Sequence, residues 1–237
     1  TTVADMYYFE TEVGRVIDES GMRGIVGQTL ADFDAPDHKS FDEGFALVEE
    51  LAGIYRDHPR VRASIAPHAP YSTDIPVMTR IAHWSDLHPE IPVQIHLAEM
   101  VSENEWAMSR HGMRPVEVVD RAGLLKPGLI AAHCLFVTDA DMDRMAARDV
   151  RVAHNARSNA KAGRGIAPVE AMRMRAIPVG IATDGPMSGN TLDLFSQFGP
   201  VSMFQKLLGA SRKPMPALDE IRMATLEAAR VLGMDAE

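Results

Sequence analysis

Three short segments of the chain bring together side chains that could hold a metal ion and move a proton. They are Ile95-His96-Leu97-Ala98-Glu99, Ala131-Ala132-His133-Cys134 and Ala182-Thr183-Asp184-Gly185. A divalent metal that activates water needs a few rigidly held nitrogen and oxygen ligands and one open coordination position. Imidazole and carboxylate groups supply such ligands, and a further carboxylate can transfer protons. The three segments therefore predict a metal site that activates water.

Each of these residues also has a structural interpretation. A histidine at a strand end can be a core residue bonded to backbone carbonyls, and an aspartate before a glycine can cap a helix. Because His96, His133 and Asp184 all follow apolar runs, one shared site explains them better than three unrelated structural roles. The role of His154, in His154-Asn155-Ala156-Arg157-Ser158-Asn159, stays open between ordering a loop and contacting the substrate.

Short apolar runs rich in β-branched residues alternate with segments of helical periodicity, which is typical of parallel βα units. Seven strand cores are predicted, near 2–6, 24–30, 61–66, 92–97, 129–133, 151–154 and 179–183. A helix is predicted from Phe41 to Tyr55, with Ser40 and Glu43 as a capping box at its start. The pairs Ser102 with Glu105 and Thr138 with Asp141 predict two further helix starts.

Polar and titratable residues collect near the ends of the predicted strands. They are Asp5, Gln28, His68, His96 with Glu99, His133, His154 and Asp184. A doubly wound sheet concentrates such groups at one switch point, whereas a (β/α)8 TIM-type barrel collects them from many strand ends. The pattern therefore predicts an α/β fold of the barrel type. Since a barrel needs eight strands, the chain is expected to be a truncated segment that lacks the first strand.

On this reading, residues 1–237 form one hydrolase barrel, from about the second strand to the helices after the eighth, with flanking parts on both sides absent. The missing strand is expected before Thr1. The first residues, Thr1 to Asp5, lack the features of a signal peptide, and the last residues end a helical pattern without a stop signal.

Composition narrows the classes of partner. The 237 residues include 24 Lys and Arg against 33 Asp and Glu, a formal charge of -9 that disfavours nucleic acid and anionic membranes. No apolar run reaches the roughly 18 residues of a membrane span, and the single cysteine, Cys134, cannot form an intrachain disulfide. We expect a cytoplasmic protein that acts on a small molecule; homo-oligomer formation stays open.

Other catalytic signatures are missing. Gly163-Arg164-Gly165 lacks the third glycine of a dinucleotide loop, and the sequence contains neither a Walker lysine loop nor an H-E-x-x-H motif. The serine of Gly185-Pro186-Met187-Ser188-Gly189 stands one place too late for a nucleophile elbow. A single cysteine also excludes the deaminase scheme that needs P-C-x-x-C.

Five segments in order resemble the amidohydrolase superfamily, and within it the 5-methylthioadenosine/S-adenosylhomocysteine deaminases and their chlorohydrolase-like relatives. The segments are Ala66-Pro67-His68-Ala69-Pro70-Tyr71, Ile95-His96-Leu97-Ala98-Glu99, Ala132-His133-Cys134, His154-Asn155-Ala156-Arg157-Ser158-Asn159 and Thr183-Asp184-Gly185. The likeness extends from Thr1 to Glu237.

The resemblance implies a role for each candidate residue. In that family two histidines of an H-x-H motif on the first strand, a later histidine and an aspartate hold the metal; here the last two correspond to His96 and Asp184, and the first strand is the missing one. Glu99 would protonate and deprotonate the ring nitrogen of the substrate, and His133 would orient the attacking water. His68 would contact the substrate.

Three departures from the family bear on metal number and substrate. No lysine follows the strand that ends at His68, so one metal is favoured over two. Gln28, a candidate substrate contact, stands where an arginine is often found, and Pro186-Met187-Ser188-Gly189 replaces a run of small residues and asparagine. The base need not be adenine.

The sequence thus predicts metal-dependent hydrolytic deamination of an aminated N-heterocycle, with an adenosine derivative (S-adenosylhomocysteine, 5'-methylthioadenosine or adenosine) as substrate, and with release of ammonia. Asp184 also has a catalytic role, because it can accept a proton from the attacking water. Zinc suits the ligands, and iron or manganese would use the same set. The alternatives are hydrolysis of another ring C–N or C–Cl bond, as in guanine, pterin or triazine substrates, and a non-catalytic barrel if the upstream H-x-H motif is missing.

Overall fold

The computed structural model describes residues 2–209 and 215–235. The predicted domain bounds, Thr1 and Glu237, lie outside the described residues. The described chain separates into two compact units: the first contains the residues up to 96 together with 118–124, and the second contains 97–117 and the residues from 125 onward. Within the described ranges, no helix is both long and apolar enough to cross a membrane.

Strands and helices alternate along the chain, as the sequence predicts. The strands are β1 (Thr2–Tyr7), β2 (Arg23–Leu30), β3 (Val61–Pro67), β4 (Gln94–Leu97), β5 (Ile130–His133), β6 (Arg151–His154) and β7 (Val179–Ile181). One sheet has the order β1-β2-β3 and the other β4-β5-β6-β7. The registers of β1 with β2, β2 with β3, β5 with β6 and β6 with β7 are all parallel.

The helices follow the strands and pack on the sheets. They are α1 (Glu10–Glu19), α2 (Phe41–Tyr55), α3 (Pro70–Leu87), α4 (Val101–His111), α5 (Pro115–Arg121), α6 (Asp139–Ala147), α7 (Ala156–Lys161), α8 (Val169–Met174), α9 (Pro186–Gly189), α10 (Phe198–Leu208), α11 (Ala217–Ala224) and α12 (Leu226–Val231). Asp74 interrupts α3 with a left-handed φ of 56°, two residues before Pro76, so α3 is two helical pieces joined at a kink.

In the first unit, helices α1 and α2 cover the β1-β2-β3 sheet. Ile17 and Leu51 bury their side chains against Val26 and Val61. Helix α1 comes close to α2 at Gly14, where a Cβ atom would lie 2.4 Å from the Tyr55 hydroxyl. The same hydroxyl donates to the Thr11 carbonyl at 3.1 Å. A side chain at position 14 would therefore push the two helices apart.

The second unit contains Leu97, the last residue of β4, and strands β5 to β7. The backbone N–H of Cys134 donates to the Leu97 carbonyl at 3.0 Å, directly after β5. Helix α12 packs closely on β7 because residue 180 is a glycine: a Cβ atom there would lie 2.9 Å from the Cα of Ala228. The buried carboxyl ends of these strands are thus held in fixed positions.

The predicted helix starts are confirmed in part. Thr138 and Asp141 form a complete capping box at the start of α6. Ser40 caps α2 by accepting the N–H of Glu43, but the Glu43 carboxylate accepts the N–H of Lys39 rather than that of Ser40.

The capping box predicted from Ser102 and Glu105 is wrong. Helix α4 begins at Val101, its N-cap residue is Met100, and no side chain caps it. The reason is that the helix begins one residue before Ser102, so Ser102 lies within the first turn and cannot be the N-cap residue. The buried residue Glu103 lies in the same turn.

Two of the polar residues assigned to strand ends lie inside strands instead. Asp5 is within β1 and Gln28 is within β2. The apolar runs in the sequence stop at these residues, but the backbone pairing continues, because a parallel register pairs Asp5 with Val26 and Gln28 with Ile65. The other predicted positions hold: His68 directly follows β3, His96 lies in β4, and His133 and His154 end β5 and β6.

Candidate active site

Four candidate residues of the second unit belong to the carboxyl ends of neighbouring strands. Glu99 follows β4, His133 ends β5, His154 ends β6, and Asp184 follows β7. The β4-β5-β6-β7 order makes these strands neighbours. Reactive groups of α/β folds gather at this edge of the sheet. Glu99, His133 and His154 are buried, whereas Asp184 is half-buried.

Glu99 and His133 form a direct pair. The Oε1 atom of Glu99 lies 3.4 Å from Nε2 of His133, and both side chains are buried. The other ring nitrogen of His133, Nδ1, lies 2.9 Å from Oδ1 of Asn159. Because that amide oxygen can only accept, Nδ1 carries hydrogen and Nε2 is the nitrogen that faces Glu99. The pair can therefore share a proton between the carboxylate and Nε2.

Arg164 is a residue of this site that the sequence reasoning missed. Its guanidinium group makes an ion pair with Oε1 of Glu99, the same atom that faces His133. The loop that presents it has left-handed glycines on both sides, Gly163 and Gly165. The Gly-Arg-Gly sequence signals a loop of unusual backbone, but nothing in it indicates which carboxylate the arginine reaches.

Asp184 is held by two hydrogen bonds. The hydroxyl of Ser158 donates to its Oδ2 at 2.6 Å, and the N–H of Gly185 donates to its Oδ1 at 2.6 Å. Both donors fix the orientation of the carboxyl group. The Gly185 bond fits the structural interpretation that Asp184 orders the start of α9, but the Ser158 bond comes from a different segment. Ser158 belongs to the segment that begins at His154. This segment therefore helps to orient Asp184, a role that the sequence did not indicate.

His154 is completely enclosed. It is 1% exposed, and neither ring nitrogen has a hydrogen-bond partner among the described residues. Burial, and secondarily the neighbouring His133, lowers the pKa of His154 to about 4. The imidazole is therefore neutral at physiological pH. This environment favours a packing role beside His133 and disfavours proton transfer.

The backbone is strained where these side chains are presented. Ala98, His133, Cys134 and Asp184 have φ angles of 50°, 74°, 51° and 60°. Such left-handed conformations cost about 1–3 kcal/mol each in residues other than glycine, and they cluster at functional sites. The strain lies at three separate strand ends of one unit, which supports a functional site there.

In the first unit, His68 and His96 lie side by side with ring centroids 5.1 Å apart. The Nδ1 atom of His96 lies 2.8 Å from the carbonyl oxygen of His68. Since a carbonyl only accepts, Nδ1 of His96 is the donor and Nε2 is the nitrogen with the lone pair. A metal-binding histidine has this arrangement, with a backbone carbonyl fixing its tautomer.

His68 has its own partners. Its Nδ1 atom lies 2.7 Å from the Ser72 hydroxyl, and its ring meets Phe33 edge to face with centroids 5.3 Å apart. Burial, and secondarily the charge of His96, lowers the pKa of His68 to about 4. A neutral, partly exposed imidazole beside an exposed phenyl ring suits contact with an uncharged heterocycle.

Gln28 is buried, and its amide is already engaged. Its Nε2 donates to Oδ2 of Asp37 at 3.0 Å. Asp37 also accepts the N–H of Phe9 at 2.8 Å and lies 2.7 Å from Nδ1 of His38. Gln28 thus anchors the loop after β2, and its predicted contact with the substrate stays a prediction.

The donor chemistry of His96 and Asp184 fits a divalent metal. Nδ1 of His96 donates to a backbone carbonyl, and the carboxyl group of Asp184 is oriented by two hydrogen-bond donors. Among the described residues, no group of three or more histidine, cysteine, aspartate or glutamate side chains is arranged to hold a metal. The two residues stay predicted ligands.

Comparison with known proteins decides the family. Residues 1–237 match the model of the Amidohydrolase family. The chain belongs to this family. The resemblance seen in the sequence is confirmed, and so is the α/β fold class with parallel strands that the amidohydrolases share with TIM-type barrels.

Relatives of this amidohydrolase include two named deaminases. The 5-methylthioadenosine/S-adenosylhomocysteine deaminase of Syntrophobacter fumaroxidans is 38% identical over 234 residues, which are 99% of this chain and 53% of the relative. The 5'-deoxyadenosine deaminase of Methanothermobacter thermautotrophicus is 34% identical over 238 residues, 100% of this chain and 55% of the relative. The chain thus spans about half the length of these relatives.

Solved structures show the same fold. An adenosine deaminase from Xanthomonas campestris with bound zinc superposes with a TM-score of 0.96 at 33% identity, covering 99% of this chain and 53% of that chain. A guanine deaminase from C. acetobutylicum gives a TM-score of 0.88 at 24% identity, covering 98% and 58%. At this lower identity the likeness concerns the fold alone.

Proposed function

We propose that this amidohydrolase is a metal-dependent deaminase that replaces an exocyclic amine of an adenosine derivative by oxygen and releases ammonia. The buried pair of Glu99 and His133, with 3.4 Å between Oε1 and Nε2, carries the proposal. The identities of 38% and 34% to deaminases of adenosine derivatives support the substrate class. The net charge of -9 favours an uncharged or cationic small molecule over nucleic acid.

A bound divalent metal is part of this proposal. His96 and Asp184 are the proposed ligands, and zinc is the first candidate because imidazole and carboxylate suit it. When bound, the metal would supply a Lewis acid that activates water at neutral pH.

The residues of the chain account for the proton transfers. Replacing an amine on an amidine carbon by water requires a proton on the adjacent ring nitrogen, which makes the carbon electrophilic. Glu99 is the proposed donor of this proton, because it is the buried carboxyl group that faces a second titratable group at the strand ends. His133 is proposed to orient the attacking water. The orientation of its Nε2 atom is fixed by the contact of Nδ1 with Asn159.

The carboxylate of Asp184 is the proposed acceptor of a proton from the attacking water. Its two hydrogen-bond donors, Ser158 and Gly185, hold its plane in one orientation. Amine departure then needs one further proton, which the protonated Asp184 can supply, while the Glu99 carboxylate takes up the proton that the added oxygen loses. In this scheme the water molecule contributes the oxygen of the product, its two hydrogens are divided between ammonia and the ring nitrogen of the product, and no redox step is involved.

A substrate panel tests the proposal. The purified full-length protein, loaded with zinc, is assayed for ammonia release from adenosine, 5'-methylthioadenosine, S-adenosylhomocysteine, guanine, a pterin and an aminotriazine. Ammonia from the adenosine derivatives at the highest kcat/KM is the expected result. Turnover of guanine, the pterin or the triazine alone would indicate hydrolysis of another ring C–N bond. No ammonia from any of the six compounds would contradict deamination.

A further inference from the structure

Glu103 is a buried acid that the proposed reaction does not use. It lies in the first turn of α4 and is 1% exposed. Glutamate is almost never fully buried without partners, because burial of a carboxylate is costly. The partners of Glu103 therefore indicate why this carboxyl group is kept at such a position.

Both carboxylate oxygens of Glu103 accept backbone N–H groups of the segment that contains Glu99. The Ala98 N–H donates to Oε1 at 2.9 Å, and the Glu99 N–H donates to Oε2 at 2.8 Å. These two amides follow β4, where the sheet no longer provides acceptors. For two consecutive residues, Glu103 thus supplies the hydrogen-bond acceptors that a neighbouring strand would otherwise provide.

The Ala98 residue is also held from its carbonyl side. Its oxygen accepts the N–H groups of Leu135 and Phe136 at 3.0 and 2.9 Å. These two residues closely follow His133, so the carbonyl of Ala98 connects the Glu99 segment to the segment that presents His133. The φ angle of Ala98 is 50°, a strained value for a residue with a Cβ atom.

We infer that Glu103 is a positioning residue: its carboxyl group holds the strained Ala98–Glu99 backbone so that the Glu99 side chain stays against His133. The inference rests on the proposed function in assigning Glu99 as the proton donor. A carboxyl group is needed at position 103 because both of its oxygens can accept a hydrogen bond, whereas the amide of glutamine has one acceptor oxygen. Burial raises the pKa of Glu103 to about 8, although backbone N–H groups, that of Ala98 first, oppose the shift.

The Glu103→Gln variant is the direct experiment, because it keeps the shape and offers one acceptor oxygen instead of two. We expect kcat to fall about 10-fold or more, since small misplacements of a catalytic group are costly. KM for the best substrate should change by less than about 3-fold, and metal content should stay unchanged, because Glu103 accepts backbone N–H groups of residues 98 and 99 and neither bond is to a predicted ligand.

Glu170→Gln is a matched control in the same unit. The Glu170 carboxylate also accepts a backbone N–H, that of Met215 at 2.8 Å, at a place remote in sequence from Glu99. This variant should retain the kcat of the wild type. An equal loss of kcat in both variants would mean that general destabilisation explains the effect, and the inference would be overturned.

A double-mutant cycle tests whether Glu103 acts through Glu99. In the Glu99→Gln background, Glu103→Gln should lower the remaining rate by less than about 3-fold. The reason is that the side chain at position 99 is then an amide, which no longer serves as the proton donor that Glu103 positions. The same loss in both backgrounds would show that Glu103 acts independently of Glu99, contrary to the inference.

Hydrogen exchange of the backbone amides tests the geometry without any assay of activity. The Ala98 and Glu99 amides should be protected, although they lie beyond the end of β4, and Glu103→Gln should accelerate their exchange. Exchange at the rate of an exposed loop in the wild type would overturn the inference. If the amides are protected but the wild type releases no ammonia, only the proposed function fails.

Discussion

The Nε2 atom of His133 faces Oε1 of Glu99 at 3.4 Å, and the two residues come from the ends of adjacent strands. This relationship needs a left-handed backbone at His133, with φ of 74°. The opposite side of the imidazole is bound by Asn159. A histidine whose two nitrogens have different partners has one defined tautomer, which is what directional proton transfer requires.

The Glu99→Gln substitution tests the role of the carboxyl group in this pair. We expect the deamination rate to fall by about 10² or more, the range for loss of a general acid or base. The metal content should be unchanged, because Glu99 is not a predicted ligand. Steady-state kinetics and metal analysis of the same preparation check both statements. A parallel loss of metal and activity would contradict the assigned role.

The Asn159→Leu substitution tests the orientation of His133. Removing the acceptor takes away the hydrogen bond between Nδ1 of His133 and Oδ1 of residue 159 and weakens the hold on the ring, so we expect kcat to fall by roughly 10- to 100-fold, the range for partners that orient metal-binding histidines. The Asn159→Asp variant keeps an acceptor oxygen and serves as the matched comparison.

The aspartate variant should retain more activity than the leucine variant. Its negative charge should also raise the pKa of His133 and shift the pH profile of kcat/KM upward, since a carboxylate stabilises imidazolium. Equal activity of the leucine variant and the wild type would show that Asn159 does not orient the imidazole.

Much of the fold can be predicted from the sequence because the strands are buried and β-branched. All seven predicted strand cores overlap observed strands, and the β6 bounds, Arg151–His154, agree at both ends. The ends of the strands are harder to predict from the sequence. Asp5 and Gln28 break the apolar pattern but not the parallel pairing, so polarity alone misplaces the ends of β1 and β2.

The candidate residues at strand ends are predictable, but their partners are not. Glu99 and His133 each follow an apolar run that the sequence displays. Arg164 and Asn159 reach them from loops and short helices distant in sequence. The glycines around Arg164 indicate an unusual backbone, with φ of 129° at Gly165, but no local pattern specifies which carboxylate the arginine reaches. Glu103 was missed for a related reason: Ser102 and Glu105 match the capping pattern, but the buried residue of that turn is Glu103.

Alanine at His96 and at Asp184 tests the metal ligands. We expect each variant of the full-length protein to lose bound zinc, because a site of about four ligands does not retain the ion when one is removed. Asp193→Ala is the control: this exposed aspartate lies after the same strand, and it should leave zinc content unchanged. Metal analysis after dialysis decides, and full occupancy in either His96→Ala or Asp184→Ala would refute the assignment of that ligand.

Glu10 offers a prediction about stability. Its side chain is 1% exposed, Oε1 accepts the Tyr7 N–H at 3.1 Å, and Oε2 has no hydrogen-bond partner among the described residues. Burial, and secondarily the charge of Asp5, raises the pKa of Glu10 to about 9, although the N–H groups of Tyr7 and Gly27 oppose the shift. The folded protein therefore keeps Glu10 protonated at neutral pH.

An acid whose folded pKa is raised stabilises the fold least at high pH. Below the unfolded pKa of about 4.5 both states are protonated, and between about 4.5 and 9 the unfolded state alone ionises, so the free energy of unfolding falls as pH rises. Glu10→Gln removes this ionisation. We expect the variant to be more stable than the wild type at pH 8.5 by roughly 1–3 kcal/mol, with a much smaller difference at pH 5. Urea unfolding at both pH values measures this, with Glu12→Gln, an exposed neighbour on α1, as the control. A Glu10→Gln variant less stable than the wild type at pH 8.5 would show that the buried carboxylate is stabilised by its surroundings, contrary to the unpartnered Oε2.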